Sequence, residues 1–301
     1  MISVAYSPIY SHPLPPGHRF PMLKYELIPE QLIYEGTLQK ENFHEPKQVD
    51  EKYILMAHDA DYWRRLKSQE LSYHEIRRIG FPLSSELIER ELIITQGSID
   101  GALHSLEYGC SLNVAGGTHH AGSNWGEGFC LLNDQAIAAH YLMSNKLAKR
   151  ILIIDLDVHQ GNGTAEIFQN NDQVFTFSIH GANNFPYRKE QSNLDIALAD
   201  NTTDHEYLHI LKKEYQQIIE QHNPDFIFYQ SGVDVLESDK LGKLSLSLEA
   251  CKERDYIVLS TAKNLGIPIQ ISMGGGYSED IKLIVDAHCN TYRIAAELFD
   301  S

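Results

Sequence analysis

One stretch constrains the fold of this chain more than any other, because a buried-looking apolar run turns abruptly polar. Four aliphatic residues, 151–154, precede Asp155, Asp157 and His159, and a glycine-rich turn follows. Such a run is typical of a parallel strand buried on both faces, and open α/β sheets bind ligands beyond the carboxyl ends of these strands. If the extended conformation persists, side chains two apart point the same way, so the three polar groups would converge. The alternative is a strand that simply ends in polar residues before a turn. That alternative accounts well for a single aspartate here, but poorly for three polar groups in register.

Strand-like runs alternate with helix-like runs through most of the chain. The strand candidates are 2–6, 111–115, 151–155, 174–179, 224–230 and 267–273. The main helix candidates are 25–35, 59–69, 84–104, 134–145, 164–170, 204–221, 248–265 and 278–298. This alternation predicts an α/β fold with a largely parallel, doubly wound sheet, and we expect one domain over residues 1–301.

Composition and charge narrow the classes of function. We expect a cytoplasmic protein with no membrane partner, because the 301 residues contain no membrane-length apolar run and no secretory signal at the N-terminus. The net charge of −16 argues against nucleic-acid binding and favours cationic substrates such as lysine-rich peptides or polyamines. Four widely separated cysteines predict neither a disulfide framework nor a thiolate zinc site: Cys110, Cys130, Cys251 and Cys289.

Further polar groups follow other strand candidates. His119 and His120 lie in a glycine-rich loop after the candidate 111–115, where the backbone can approach a ligand closely. Asp234 follows another apolar run, and Tyr277 follows three consecutive glycines after the last run. A lone histidine in such a loop would more often be structural. The carboxyl ends of parallel strands share one edge of a sheet, so these distant residues can meet in one site.

The side chains at this edge could hold a catalytic metal. Asp157, His159 and Asp234 would give three ligands and leave a position open for water or a substrate oxygen. Because this set is rich in oxygen, iron(II) or cobalt(II) could compete with zinc. Asp155 is better placed as a supporting residue that orients a histidine.

Together these groups predict metal-assisted amide hydrolysis. One histidine of the pair His119/His120 would remove a proton from water and return it to the leaving amine. Tyr277 could donate a hydrogen bond to the developing oxyanion, although a core tyrosine after a helix-entry turn is the alternative.

Five ordered motifs resemble those of the zinc-dependent histone deacetylase family. They are 116–120 (GGTHH), 128–134 (GFCLLND), 155–159 (DLDVH), 231–234 (SGVD) and 274–277 (GGGY). The resemblance implies an arginase-like three-layer α/β/α fold and hydrolysis of the Nε-acyl amide of lysine in a protein or peptide. It also implies that His120 is the principal general base, that His119 is its electrostatic partner and the acid, and that Tyr277 is the oxyanion donor.

The same resemblance assigns a channel and a second ion. It implies that Gly128, Phe129 and Phe185 line a narrow channel for the lysine stem. It further implies that Asp155, Ser178 and backbone oxygens bind a structural potassium ion.

One residue departs from the family pattern. Asn162 stands where many members carry an aspartate that supports the second histidine, and an amide stabilises an imidazolium less well than a carboxylate does. The base is therefore expected to be less basic. The segments 159–163 and 17–22 are similar to the class IV and related bacterial branch, which extends the expected substrates to acyl groups longer than acetyl.

Three other functions remain open at this point. An N-acetylpolyamine amidohydrolase would use the same chemistry, but it would be supported by an acidic gate residue and an insertion at the entrance, and no clear insertion is visible. An arginase-type ureohydrolase would want more carboxylates and histidines bridging two metals near Asp155 and Asp234. A protein that binds acyl-lysine without turnover is disfavoured by the intact ligands, both histidines and Tyr277.

Overall fold

All strands of the structure, a computed structural model that describes residues 1–300, lie in one sheet with only parallel pairings. Ser301, the last residue of the predicted domain 1–301, lies outside the described residues. The strands are β1 Ser3–Ala5, β2 Phe43–His44, β3 Cys110–Asn113, β4 Ile151–Asp155, β5 Val174–Gly181, β6 Leu194–Leu198, β7 Phe226–Gln230 and β8 Ile269–Ser272. Their order across the sheet is β2-β1-β3-β8-β7-β4-β5-β6.

Helices surround this sheet. They are α1 Lys24–Tyr34, α2 Glu51–Ile54, α3 Ala60–Lys67, α4 Tyr73–Ile79, α5 Ser85–Tyr108, α6 Asp134–Ser144, α7 Asn162–Phe168, α8 Asp204–His222, α9 Leu248–Leu265 and α10 Ile281–Phe299. Every residue of the central strands β3, β4, β7 and β8 is buried, as expected when helices cover both faces. The predicted three-layer α/β/α architecture with a parallel sheet is confirmed. None of the helices within residues 1–300 has the length and apolar composition needed to span a membrane.

The strand order explains where a site can form. The chain leaves β3, moves to β4 and continues outward through β5 and β6 before β7 and β8 return to fill the space between β4 and β3. The carboxyl ends of β3, β8, β7 and β4 therefore lie side by side at a point where the strand order reverses. Open α/β sheets bind ligands at such a switch point.

The structure departs from the sequence prediction at the edges of the sheet. The strands β2 and β6 were not predicted, because β2 has only two residues and the residues of β6 are mostly half-exposed and not uniformly apolar. The strand predicted for 111–115 ends at Asn113, and the helix predicted from Thr164 begins at Asn162. These differences leave the predicted order of the central elements unchanged.

Candidate active site

Asp157, His159 and Asp234 form a compact buried cluster beyond the carboxyl ends of β4 and β7. One potential ligand atom from each residue lies within 4.8 Å of the others. His159 Nδ1 lies 3.0 Å from an oxygen of Asp157 and 3.1 Å from an oxygen of Asp234. Because these atoms lie so close to one another, the three predicted ligands are brought together as a candidate metal centre.

The chain reaches this geometry by ending the strand early. We expected extended backbone to carry Asp155, Asp157 and His159 on one face, but β4 ends at Asp155. Asp155 accepts a hydrogen bond from the Asp157 amide at 3.1 Å, and Asp157 accepts one from the His159 amide at 3.0 Å. Two successive turns closed by aspartate side chains therefore aim the residues, and that part of the prediction was wrong.

The charges of the cluster favour a bound cation. Burial, and then the charge of Asp157, raise the pKa of Asp234 to about 7. The charge of a third carboxylate, Asp239, also raises the pKa of Asp234. Two carboxylates and one imidazole are hard and borderline donors that suit zinc, iron(II) or cobalt(II). The residues present therefore fit a divalent metal.

The two histidines stand beside this cluster in different electrostatic environments. His119 Nδ1 lies 2.7 Å from Asp155, and its ring centroid is 4.1 Å from that of His120. Burial alone would lower the pKa of His119, but Asp155 and Asp157 outweigh burial and raise it to about 9. Burial, and then the charges of His119 and His159, hold the pKa of His120 well below its usual range. At neutral pH one ring therefore carries a proton to give and the other has a free nitrogen.

Asn162 supports His120 from the first turn of α7. Its Oδ1 lies 2.7 Å from His120 Nδ1, and its Nδ2 donates to Glu127 at 2.5 Å. Glu127 is buried and was not assigned a role from the sequence, although it lies between two glycines of the loop singled out there.

The triple-glycine turn after β8 places Tyr277 beside His159 of the candidate metal centre. Its ring centroid is 6.4 Å from that of His159, and burial, and then Asp234 and Asp157, keep the pKa of its hydroxyl well above its usual range. The hydroxyl therefore stays protonated and able to donate. Asp239 fixes the position by accepting a hydrogen bond from the Tyr277 amide at 2.6 Å, a contact with no signal in the sequence.

An aromatic-walled pocket of about 340 Å³ leads from the surface to these groups. Phe129 and Phe185 both line it, with Phe185 5.0 Å from the His120 ring. Gly128 has a left-handed φ of +56°, and a Cβ there would lie 2.7 Å from the His120 ring. Glycine is therefore required at this position, and the channel residues expected from the resemblance lie together.

The proline-rich N-terminal segment builds one wall of the site. Phe20 packs at 5.1 Å from Phe129 and 5.9 Å from Tyr277. Lys24 is fully buried and donates to the carbonyl of Gly274 at 3.0 Å. Burial lowers the pKa of Lys24 to about 8, against the opposing charges of Asp234 and Asp157. Sequence reasoning missed Lys24, because a lysine at the start of a helix is normally exposed.

The residues expected to bind potassium are neighbours in the sheet. Asp155 on β4 is paired in register with Ser178 on β5. The Ser178 hydroxyl lies 2.9 Å from His180 Nδ1, while Asp155 faces His119. The potassium site stays a prediction.

The fold and this arrangement define the class of protein. The family model for the histone deacetylase domain matches residues 18–292, so the chain belongs to the histone deacetylase family. This match confirms the resemblance carried by the five motifs and makes the protein a hydrolase of that family.

The chain is similar in sequence to proteins of bacteria and of a plant. The chain is 41% identical to an uncharacterised protein of Picosynechococcus sp., over 98% of this chain and 99% of that protein. It is 30% identical to the acetoin utilization protein AcuC of Staphylococcus xylosus, over 86% of this chain and 73% of that protein. It is 27% identical to histone deacetylase 2 of Arabidopsis thaliana, over 92% and 74% of the two chains.

Solved structures share the fold. A histone deacetylase homologue complexed with SAHA has a TM-score of 0.85 at 24% identity, covering 98% of this chain and 84% of that one. A homologue from Aquifex aeolicus has a TM-score of 0.83 at 23% identity, covering 97% and 82%.

Proposed function

We propose that this protein is a metal-dependent deacylase that hydrolyses the Nε-acyl amide of lysine in proteins or peptides. The observation that carries the proposal is the position of the buried cluster Asp157, His159 and Asp234. Two residues of this cluster, Asp157 and His159, line one cavity together with the histidine pair and Tyr277. Aromatic rings line the adjoining pocket that leads to it. The groups that amide hydrolysis needs are therefore neighbours in one site, which supports the proposal.

The three residues of the cluster would hold the metal, with zinc the first candidate and iron(II) or cobalt(II) the alternatives. When bound, such a metal polarises a carbonyl and lowers the pKa of water. Asp157 and Asp234 also accept backbone hydrogen bonds, from Gly275 and Val158, both at 2.9 Å, which fix the carboxylates before any ligand arrives.

The protein's own residues then move the protons. His120, with its free nitrogen, takes a proton from the attacking water, and Tyr277 donates a hydrogen bond to the oxyanion that forms on the former carbonyl. His119, which is protonated beside Asp155, gives its proton to the departing lysine nitrogen as the carbon–nitrogen bond breaks. The products are a carboxylate and a free lysine amine.

The charge at the mouth favours a peptide over a polyamine. The side chains of Arg19, Arg78 and Lys243 line the pocket, and no carboxylate of residues 1–300 does so. Arg78 is ion-paired with the buried Glu127, so Arg19 and Lys243 carry the charge at the mouth. An acidic entrance, which would attract a polycation, is not what this structure shows. The negative total charge therefore does not describe the surface that a substrate meets first.

The proposal is tested by hydrolysis assays on protein reconstituted with zinc, iron(II) or cobalt(II). The substrates are an acetyl-lysine peptide, a myristoyl-lysine peptide and acetylputrescine, with a chelator control. We expect chelator-sensitive release from the lysine peptides, and their relative rates rank the acyl preference. A preference for acetylputrescine would contradict the lysine assignment, and inactivity on all three substrates would contradict the proposal.

Replacement of Tyr277 separates catalysis from binding. Tyr277→Phe removes one oxyanion donor, so kcat should fall roughly 10²–10³-fold. Binding of the acyl-lysine peptide, measured by calorimetry, should change little because the aromatic wall remains. Unchanged kcat would show that Tyr277 is a packing residue and would remove it from the mechanism.

A further inference from the structure

Glu127 is a buried carboxylate close to the reacting groups with no assigned role. We propose that it is a positioning residue: it fixes the side-chain amide of Asn162 and, through that amide, the tautomer and orientation of His120. The inference rests on the proposed function, in which His120 is the general base.

Both oxygens of Glu127 are occupied. Oε1 accepts from Asn162 Nδ2 at 2.5 Å, and Oε2 accepts from Arg78 Nε at 2.5 Å. Glu127 is 5% exposed and Asn162 is 3% exposed, so water does not compete for either side chain. A charged acceptor in a buried place holds an amide donor more firmly than a neutral acceptor does.

The orientation of the amide decides which nitrogen of His120 is free. Because Nδ2 of Asn162 is held by Glu127, it is Oδ1 that faces His120 Nδ1, at 2.7 Å. An oxygen in this place accepts, so Nδ1 carries the hydrogen and Nε2 keeps its lone pair. A reversed amide would put a donor against Nδ1, and the proton would then sit on Nε2 and block the base.

The same contact accounts for the unusual asparagine. Nδ1 of His119 contacts the Asp155 carboxylate directly. Nδ1 of His120 contacts the Asn162 amide, and this amide in turn contacts the carboxylate of Glu127. An aspartate at position 162 would need no partner, because its two oxygens are equivalent acceptors. Asn162 can accept from His120 only when its oxygen, and not its nitrogen, faces Nδ1. The hydrogen bond from Asn162 Nδ2 to Glu127 enforces that orientation.

Exchanging the carboxylate at position 127 with the amide at position 162 tests whether Glu127 orients Asn162. In Glu127→Gln a single acceptor oxygen must serve two donors, Arg78 and Asn162, so kcat should fall roughly tenfold or more. In Asn162→Asp two carboxylates would meet at the present hydrogen-bond distance, and kcat should fall similarly. The double variant Glu127→Gln/Asn162→Asp restores a matched pair, because the introduced amide can donate to the introduced carboxylate, which accepts from His120. We therefore expect its kcat to lie within about threefold of wild type.

Other measurements separate positioning from general structure. KM for the acyl-lysine peptide and the content of bound metal should stay unchanged in all three variants. Glu166→Gln is the matched control, because the Glu166 carboxylate holds the same loop by accepting from Ser123 at 2.8 Å and makes no side-chain hydrogen bond to Asn162. It should lower the melting temperature and leave kcat unchanged.

Nitrogen-15 NMR of the His120 ring gives a readout that needs no substrate. We expect the Nδ1–H tautomer in the wild-type protein and a mixture in Glu127→Gln. The inference is overturned if Glu127→Gln keeps both kcat and the tautomer, or if the losses of the two single variants simply add in the double variant. Should the wild-type protein hydrolyse no acyl-lysine at all, the proposed function fails, and the tautomer experiment still decides the role of Glu127.

Discussion

At the scale of single residues, burial gives ordinary side chains unusual proton affinities in this protein. His58 is an example away from the reacting groups. Its Nδ1 lies 2.9 Å from the carbonyl of Gly122, and its Nε2 accepts from the Asn133 amide at 3.0 Å. These contacts require the neutral ring, and burial lowers the pKa of His58 to about 4.

His58 should make the stability of the fold depend on pH. Its pKa in the unfolded chain is about 6.5, so the unfolded state binds a proton first as the pH falls. The free energy of unfolding should therefore decrease between about pH 6.5 and pH 4, by about 3 kcal/mol from this residue. The measurement is urea unfolding across that range.

The control is His58→Gln, whose amide can keep one donor and one acceptor and does not titrate. Its unfolding free energy should fall less steeply with acid than that of the wild type. Identical slopes would mean that His58 is accessible to protons in the folded state.

At the scale of elements, the short helix α7 holds the histidine loop in place. The Thr164 amide donates to the carbonyl of His119 at 3.1 Å, and Asn162 contacts His120 from the same turn. Gly163 lies so close to the backbone of residues 120 and 121 that a Cβ would be 2.7 Å from the carbonyl carbon of His120. The nearest atoms belong to the backbone, which cannot rotate away from an added methyl group as a side chain could. The close packing of α7 on the histidine loop therefore requires glycine at position 163.

Gly163→Ala should displace the histidine loop. We expect a loss of about 1–3 kcal/mol in unfolding free energy from overpacking, and a fall in kcat of roughly a hundredfold because the base is misplaced. The comparison variant is Gly36→Ala, where the left-handed φ of +77° makes alanine costly but nothing lies within 4 Å. That variant should lose stability and keep kcat, and equal activity of the two variants would contradict the role assigned to α7.

At the scale of the whole molecule, charge is distributed unevenly. The chain has 41 acidic and 25 basic side chains, yet cations line the mouth of the pocket. Arg19 also stacks over the Phe129 ring at 5.0 Å, which holds its charge at the entrance. Because Arg78 is paired with Glu127, Arg19 and Lys243 are the charges that make the pocket lining complementary to acidic sequences beside an acyl-lysine.

Peptides with aspartate or glutamate beside the acyl-lysine should be preferred. Exposed charge pairs contribute up to about 1 kcal/mol each, so kcat/KM should exceed that of lysine-flanked peptides roughly tenfold at low salt. The preference should shrink as ionic strength rises. Measured rates for the two peptide series at two salt concentrations check this.

The double variant Arg19→Gln/Lys243→Gln should lose most of the preference. Lys149→Gln should keep the preference for acidic peptides. Lys149 lies just before β4, at the amino-terminal ends of the strands, whereas the pocket lies beyond their carboxyl ends. Equal rates for both peptide series in the wild-type protein would show that the mouth does not select by charge.

The central architecture and the identity of the polar groups at the carboxyl ends of its strands could both be predicted from the amino-acid sequence. Apolar runs such as 151–154 and 226–230 are buried on both faces, and their pattern alone predicts central parallel strands. The residue types that follow them, together with the family motifs, were sufficient to name the ligands, the histidine pair and Tyr277 as candidates.

The residues that support these groups became visible only in the folded protein. Lys24, Glu127 and Asp239 lie far in the chain from the groups they contact, and nothing in their local sequence distinguishes them from exposed charges. The sequence likewise predicted extended backbone through His159, whereas hydrogen bonds from aspartate side chains turn the chain after Asp155. Local patterns report burial and periodicity. The partner of a buried charge is set by packing between distant segments, which no local pattern contains.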